Sequence, residues 1–353
     1  GFAFASGMSA ITTVLMLLNY GEHIILPKDV YGGTFQFSSK ILKKYGIEVE
    51  FLPNSTKGIE FLKNNPKARA KDLIDAFKDD SIDMILCAIG GDDTYRLLPY
   101  LFENNELEMA VKQKIFLGFS DTTINHFMLN KVGIKTFYGQ AFLPDICELS
   151  NEMLPYSKHF FEELITYGKI KKIFPSDVWY NERKDFSEKA IGISMEEHHN
   201  DGFELIRGNA KFEGKILGGC LESIFDIFDN SRYEDTVYLC QKYNLFPSLD
   251  EWKNKILLLE TSEERPKPEL FRKMILKLEE YGIFDVVSGL IIGKPQNEEY
   301  YEEYKQILLD EIKNKDLSIV YNINVGHSTP RCIIPFGVNA KVDIERQIIE
   351  FKE

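Results

Sequence analysis

Lys114-Ile115-Phe116-Leu117-Gly118-Phe119-Ser120-Asp121-Thr122-Thr123 decides the architecture of this chain. A strand-like apolar run stops at a glycine. A serine follows, and then a helix-like stretch from Asp121 to Lys131. A sharp strand-to-helix turn with a hydroxyl at its tip is a nucleophile elbow, a device of α/β sheets. The helix dipole behind the turn favours negative charge developing beside it. The same residues also suit a plain N-cap, with Ser120 or Asp121 accepting from the first helical amides.

Two further segments favour the elbow. Lys255-Ile256-Leu257-Leu258-Leu259-Glu260 is a buried-type strand ending in a carboxylate. Asn322-Ile323-Asn324-Val325-Gly326-His327 is a short strand that breaks at a glycine and presents a histidine. In open α/β sheets such strand ends line the ligand crevice. A serine hydroxyl is a poor nucleophile until a histidine takes its proton, and the histidine needs an acid to orient it.

Motifs in the same order run along the rest of the chain. They are Asn65-Pro66-Lys67-Ala68-Arg69-Ala70-Lys71-Asp72-Leu73, Ala88-Ile89-Gly90-Gly91-Asp92-Asp93-Thr94-Tyr95-Arg96, Gly118-Phe119-Ser120-Asp121, Leu217-Gly218-Gly219-Cys220-Leu221-Glu222, Leu259-Glu260-Thr261-Ser262-Glu263 and Gly326-His327-Ser328-Thr329-Pro330. From about residue 54 onward the chain resembles the serine peptidases that comprise LD-carboxypeptidases and microcin C resistance peptidases, with wording closer to the microcin branch. The resemblance implies Ser120 as nucleophile, His327 as general base and Glu260 as its orienting acid. It implies an oxyanion hole from the Gly91 and Asp121 N–H groups. It places Gly90, Asp92, Trp179 and Glu222 at the substrate, with Trp179 on a loop where an aromatic ring can stack on a base. The microcin branch often carries a second tryptophan downstream, where this chain has Phe186. The substrate expected is a small peptide or peptidyl-nucleotide: a microcin C-like aminoacyl-nucleotide or a murein tetrapeptide. The resemblance implies no metal and no organic cofactor, and a homodimer is expected.

Residues 1–51 read differently. Phe4-Ala5-Ser6-Gly7-Met8-Ser9 and Asp29-Val30-Tyr31-Gly32-Gly33-Thr34 resemble pyridoxal-phosphate enzymes of the cystathionine γ-synthase and lyase type. There the Ser-Gly-Met turn holds the phosphate at a helix N-terminus. The resemblance ends near Phe51, before any Schiff-base lysine, so covalent cofactor chemistry is not expected. Strand, helix and strand signals at Gly21–Pro27, Thr34–Tyr45 and Ile47–Phe51 predict a βαβ unit that completes the first domain. The alternatives are an inactive chimera and a residual pyridoxal-phosphate-binding fragment. Gly1 in place of an initiator methionine suggests a fragment or a processed chain.

Composition narrows the class. A chain of 353 residues with 44% hydrophobic content is long enough for two cored domains. A net charge of −13 argues against a nucleic-acid partner, which requires clustered cations. The apolar run Thr12–Leu18 is too short for a bilayer, and Gly1–Gly7 lacks a basic signal-peptide region. The five cysteines are scattered, without zinc spacing, and read as reduced cytoplasmic thiols.

The expected fold is α/β in two domains: an N-terminal flavodoxin-like parallel sheet with helices on both faces, and a smaller C-terminal α/β domain with a mixed, β-rich sheet. The boundaries drawn are 1–51 for the βαβ remnant, 52–150 for the nucleophile domain, 151–200 for a linker and active-site loop, and 201–353 for the domain carrying Glu260 and His327. Pro268 to Tyr281 reads as an amphipathic helix with Leu270, Met274, Leu278 and Tyr281 on one face. His126, two turns into the elbow helix, reads as structural. Adjacent His198 and His199 make a poor metal site and read as a solvated loop.

Overall fold

The computed structural model describes residues 50–352, apart from residues 56 and 151. The βαβ unit expected at residues 1–51 falls almost entirely outside the described residues. Strands of the first part are β1 (Met84–Leu86), β2 (Ile115–Gly118), β3 (Thr136–Tyr138), β4 (Lys172–Ile173), β5 (Val178–Tyr180), β6 (Glu197–His199) and β7 (Glu204–Arg207). The second part adds β8 (Lys211–Cys220), β9 (Lys255–Glu260), β10 (Gly289–Gly293), β11 (Ile319–Ile323), β12 (Ile334–Phe336), β13 (Asn339–Asp343) and β14 (Ile348–Lys352).

The fold is α/β, with parallel and antiparallel pairing in the same sheets. One sheet has the order β1-β2-β3-β12. Its first three strands are parallel, and β12 closes the edge antiparallel to β3, with Ile334 opposite Tyr138. The helix Pro66–Lys78 starts with proline, whose missing N–H costs nothing at that position. It buries Ala70, Leu73, Ile74, Ala76 and Phe77.

The other sheet has the order β4-β14-β13-β8-β9-β10-β11-β7. Its centre, β8 to β11, is parallel, and antiparallel strands flank it on both sides. Ile256, Leu257, Leu258 and Leu259 of β9 are buried, as expected of a parallel strand covered on both faces. The C-terminal part, expected to be the smaller, thus carries the longer sheet among the described residues.

The helix Pro268–Tyr281 has the predicted bounds but a different inner face. Phe271, Met274, Ile275 and Leu278 are buried, whereas Leu270 is 42% exposed. Phe271 stacks on Tyr304 of the helix Tyr301–Glu311 at 4.1 Å and 13°. Met274 and Leu278 of the expected stripe face inward, joined by Phe271 and Ile275 in place of Leu270. His198 and His199 lie on β6 and not in a loop. Three residues give too little alternation to announce a strand, and β5 supplies the pairing partner, with Trp179 opposite His198. No helix among the described residues is long and apolar enough to cross a membrane.

Candidate active site

The elbow is built as the sequence suggests. β2 ends at Gly118, Phe119 is extended, and Ser120 turns to a φ of +67°. A left-handed conformation costs an L-residue about 1–2 kcal/mol, so the turn is strained. It lifts the hydroxyl out of the path joining strand to helix. A short 3₁₀ turn, Ser120–Thr122, leads into the helix Thr123–Lys131. Neither makes a side-chain capping bond. Asp121 instead accepts from the Thr94 N–H at 3.1 Å and the Thr94 hydroxyl at 2.6 Å. The N-cap alternative is therefore not the one realised.

The glycine loop after β1 lies against this turn. A Cβ on Gly90 would stand 2.5 Å from Ser120 Oγ, so only glycine fits. The same point is 3.5 Å from the Asp121 nitrogen, and a Cβ on Gly91 would be 3.3 Å from Asp121 Oδ2. The Asp121 N–H opens a helical turn, where amides have no intrahelical acceptor. Gly90 thus lies against the serine, and Gly91 against the Asp121 side chain.

The second sheet supplies the partners. Glu260 ends β9, and His327 follows β11 by one short loop. His327 donates to Glu260 Oε2 from its backbone N–H at 3.1 Å and from Nδ1 at 2.7 Å. Across the ring, Nε2 is 3.1 Å from Ser120 Oγ. A histidine so held presents Nε2 to the serine in a fixed tautomer and orientation. Gly326 makes the loop possible. Its φ is +79°, and a Cβ there would collide with the Glu260 carboxylate.

Three residues of the site were not singled out from the sequence. Tyr138, fully buried at the end of β3, donates to Glu260 Oε1 at 2.5 Å and accepts from the Ser120 N–H at 3.3 Å. Arg331 binds Asp145 at 2.8 Å, Thr329 Oγ1 at 3.0 Å and the His327 carbonyl at 3.4 Å. Its guanidinium also lies 4.8 Å from the centre of the Phe119 ring, which meets His327 edge-on. Arg331 thereby pins the histidine loop to the elbow. Glu263 reaches Nε2 of His327 at 2.9 Å. Burial pushes the imidazole down, but the Glu260 and Glu263 carboxylates outweigh it and carry the His327 pKa up to about 10. The bond to His327 in turn holds Glu263 down to about 2.

The remaining expected residues fall in varied places. Glu222 is buried and spends Oε1 on the Ser262 N–H at 2.9 Å and the Ser262 hydroxyl at 2.6 Å. It steadies the loop after Glu260. Asp92 lies 3.9 Å from Arg232, which also reaches Asp226 at 3.2 Å and Glu264 at 3.0 Å. Trp179 is buried, stacked on His198 at 4.2 Å, with Lys294 Nζ 5.2 Å from its ring centre. His126 is structural: one ring nitrogen meets Thr136 Oγ1 at 2.7 Å and the other the Gly118 carbonyl at 3.1 Å. Cys220, Glu260 and His327 bring ligand-type atoms within 4.8 Å of one another. The glutamate and histidine are already bonded to each other, and we assign no metal there.

Comparison with known proteins gives the family. Residues 27–139 match the LD-carboxypeptidase N-terminal domain, and residues 213–342 match the LD-carboxypeptidase C-terminal domain. The chain belongs to the LD-carboxypeptidase family and is a peptidase. Among solved structures it is similar to an MccF-like protein from Streptococcus pneumoniae in complex with AMP. The two share 62% identity over 93% of this chain and 95% of that one, with a TM-score of 0.91. It is also 23% identical to the microcin C7 self-immunity protein MccF of Escherichia coli, over 81% of this chain and 78% of the relative. Over 57 residues the chain is also 51% identical to cystathionine γ-lyase of Bacillus subtilis, a match that covers only 16% of this chain and 15% of that enzyme. The family match begins at residue 27, earlier than expected and inside the segment read as foreign.

Proposed function

We propose that the protein is a serine hydrolase that cleaves an amide next to a carboxylate-bearing residue, with Ser120 as nucleophile. The observation that carries this reading is the relay Ser120 Oγ to His327 Nε2 at 3.1 Å and His327 Nδ1 to Glu260 at 2.7 Å. Ser120 Oγ attacks the scissile carbonyl carbon and its proton passes to Nε2. The Gly91 and Asp121 N–H groups receive the oxyanion, and each such donor is worth about 3 kcal/mol in the transition state. The C–N bond then breaks, the Nε2 proton goes to the leaving amine, and water releases the acyl group from Ser120 by the same steps in reverse. Glu260 holds the imidazole in place.

Between the two substrate types, the reading favours an aminoacyl-nucleotide. Support comes from the Streptococcus pneumoniae protein, which binds AMP, and from MccF, a microcin C7 self-immunity protein. A murein tetrapeptide is the second candidate, through the LD-carboxypeptidase family itself. Family likeness alone also supports a cytoplasmic homodimer, which sedimentation of the full chain would test. Turnover of an aminoacyl-sulfamoyl adenosine and of a murein tetrapeptide, followed by mass spectrometry beside fluorophosphonate labelling, tests the chemistry. Labelling of the parent and not of Ser120→Ala is expected. Equal labelling of both would end the assignment of the nucleophile.

A further inference from the structure

Nε2 of His327 has two claimants. Ser120 Oγ stands 3.1 Å away and Glu263 Oε2 stands 2.9 Å away. To take the serine proton, Nε2 must be bare. To bind a carboxylate, Nε2 must carry a proton. One nitrogen cannot do both at once.

We propose that Glu263 is a resident competitor of the substrate, its carboxylate capping the Nε2–H of His327 in the unliganded protein and leaving when an acyl group with its own carboxylate enters. The inference rests on the serine-hydrolase reading above and adds a residue that gates its base. The two acids on the ring differ in their freedom to move. The Glu260 side chain is 0% exposed and also held by Tyr138, whereas that of Glu263 is 65% exposed. An exposed carboxylate returns to water at little cost. An incoming carboxylate repels it, and Arg232, which already reaches Glu264 and Asp226, is a cation toward which it can turn. Glu263 leaves as a carboxylate, the charge that held the Nε2 proton goes with it, the proton passes to water, and His327 is left neutral facing Ser120.

The other groups around the ring are fixed. Glu260 faces Nδ1 from the end of β9, with Tyr138 and Cys220 behind it and Glu222 beyond. Arg331 touches the His327 carbonyl from the same loop, and Ser120 faces Nε2 from the elbow. Among the described residues, Glu263 is thus the charged neighbour on the Nε2 side that can leave. The raised His327 pKa has the sign this contact demands.

The test measures His327 twice. Histidine-selective ¹⁵N labelling follows its imidazole titration without turnover, and the pH dependence of kcat/KM reports the free enzyme's base. Glu263→Gln keeps the shape and removes the charge, and Glu264→Gln is the neighbouring control. In Glu263→Gln the titration should move down by at least about one pH unit. The acid limb of kcat/KM should follow, giving about a tenfold gain at pH 6, since one unit is a factor of ten. Glu264→Gln should shift neither. An unmoved titration overturns the proposal, and so does a moved titration with an unmoved rate profile. If Ser120→Ala proves active, the serine-hydrolase reading fails by itself, while the titration still decides the contact.

Discussion

Two buried histidines are both linked to Tyr138, and their pKa values are pushed in opposite directions. The His126 ring is 5.3 Å from the Tyr138 ring, and His327 is joined to Tyr138 through Glu260. Both are taken out of water. Burial lowers the His126 pKa to about 4, and its partners are a hydroxyl and a carbonyl, which are satisfied by a neutral imidazole. His327 meets two carboxylates, and its pKa rises to about 10. Partners, not depth, set the charge. One histidine is thereby fit to brace the elbow helix and the other to exchange protons.

The largest break in this comparison comes from the proton-exchanging side. Ser120→Ala and His327→Ala should each lower kcat by on the order of 10⁴- to 10⁶-fold, and the double variant should lose little more, because such residues act as a unit. Single-turnover assays of the three variants check this. Losses that multiply would show the two residues acting separately.

Gly326→Ala is next. The new methyl collides with the Glu260 carboxylate, and a φ of +79° strains any L side chain. About a hundredfold loss in kcat is expected from the displaced histidine, with about 1–2 kcal/mol of stability lost to the backbone. Activity and urea melts on one preparation read both. Full activity would mean that the loop and Glu260 can part without harm.

The bracing side is sharpened by pH. His126 has a folded pKa below its unfolded value, so its neutral form favours folding. The stabilisation is present above about pH 6.5 and is lost as pH falls toward 4, where the unfolded chain binds a proton that the folded one refuses. Its full size is about 3 kcal/mol, from the shift between 6.5 and about 4. Asp145 and Asp226, pushed up to about 6 by burial, titrate in the same window with the opposite sign. The difference between the parent and His126→Gln is therefore the quantity to follow by denaturant melts at pH 7 and pH 4.5. The gap in stability should narrow at the lower pH; a constant gap would remove the neutral-histidine account.

The smallest effect is expected where the two histidines are linked. Tyr138→Phe deletes one donor to Glu260 and leaves both ring bonds of His327 in place. About a tenfold loss in kcat is expected, the scale of one hydrogen bond to a charged group, with the His327 titration moving slightly upward as Glu260 loses a competing donor. A loss as large as that of His327→Ala would make the tyrosine an equal member of the relay.

Much of this site was legible in the sequence because each relay residue ends an apolar strand. Ser120, Glu260 and His327 all follow runs with a clear stop, and the geometry brings the three together. The residues that escaped notice make their contacts across long sequence separations. Tyr138 and Glu260 are 122 positions apart, and Asp145 and Arg331 are 186 apart. Nothing local marks a strand tyrosine or a loop arginine as their partners. Glu263 lay within a quoted motif, but its role depends on a side-chain direction that spacing does not give. Helix bounds were clear from proline and glycine punctuation, whereas the inner face of Pro268–Tyr281 depended on Phe271 finding Tyr304. The edge pairing of β12 with β3 was invisible, since a three-residue strand carries almost no pattern.

That edge pairing also sets a timetable. β3 receives its second neighbour from Ile334–Phe336, and His327 stands 207 positions after Ser120. During synthesis the serine emerges early and waits beside an unfinished sheet. His327 and the closing strand arrive together, on the same short stretch. A chain cut before that stretch carries Ser120 without the histidine that faces it.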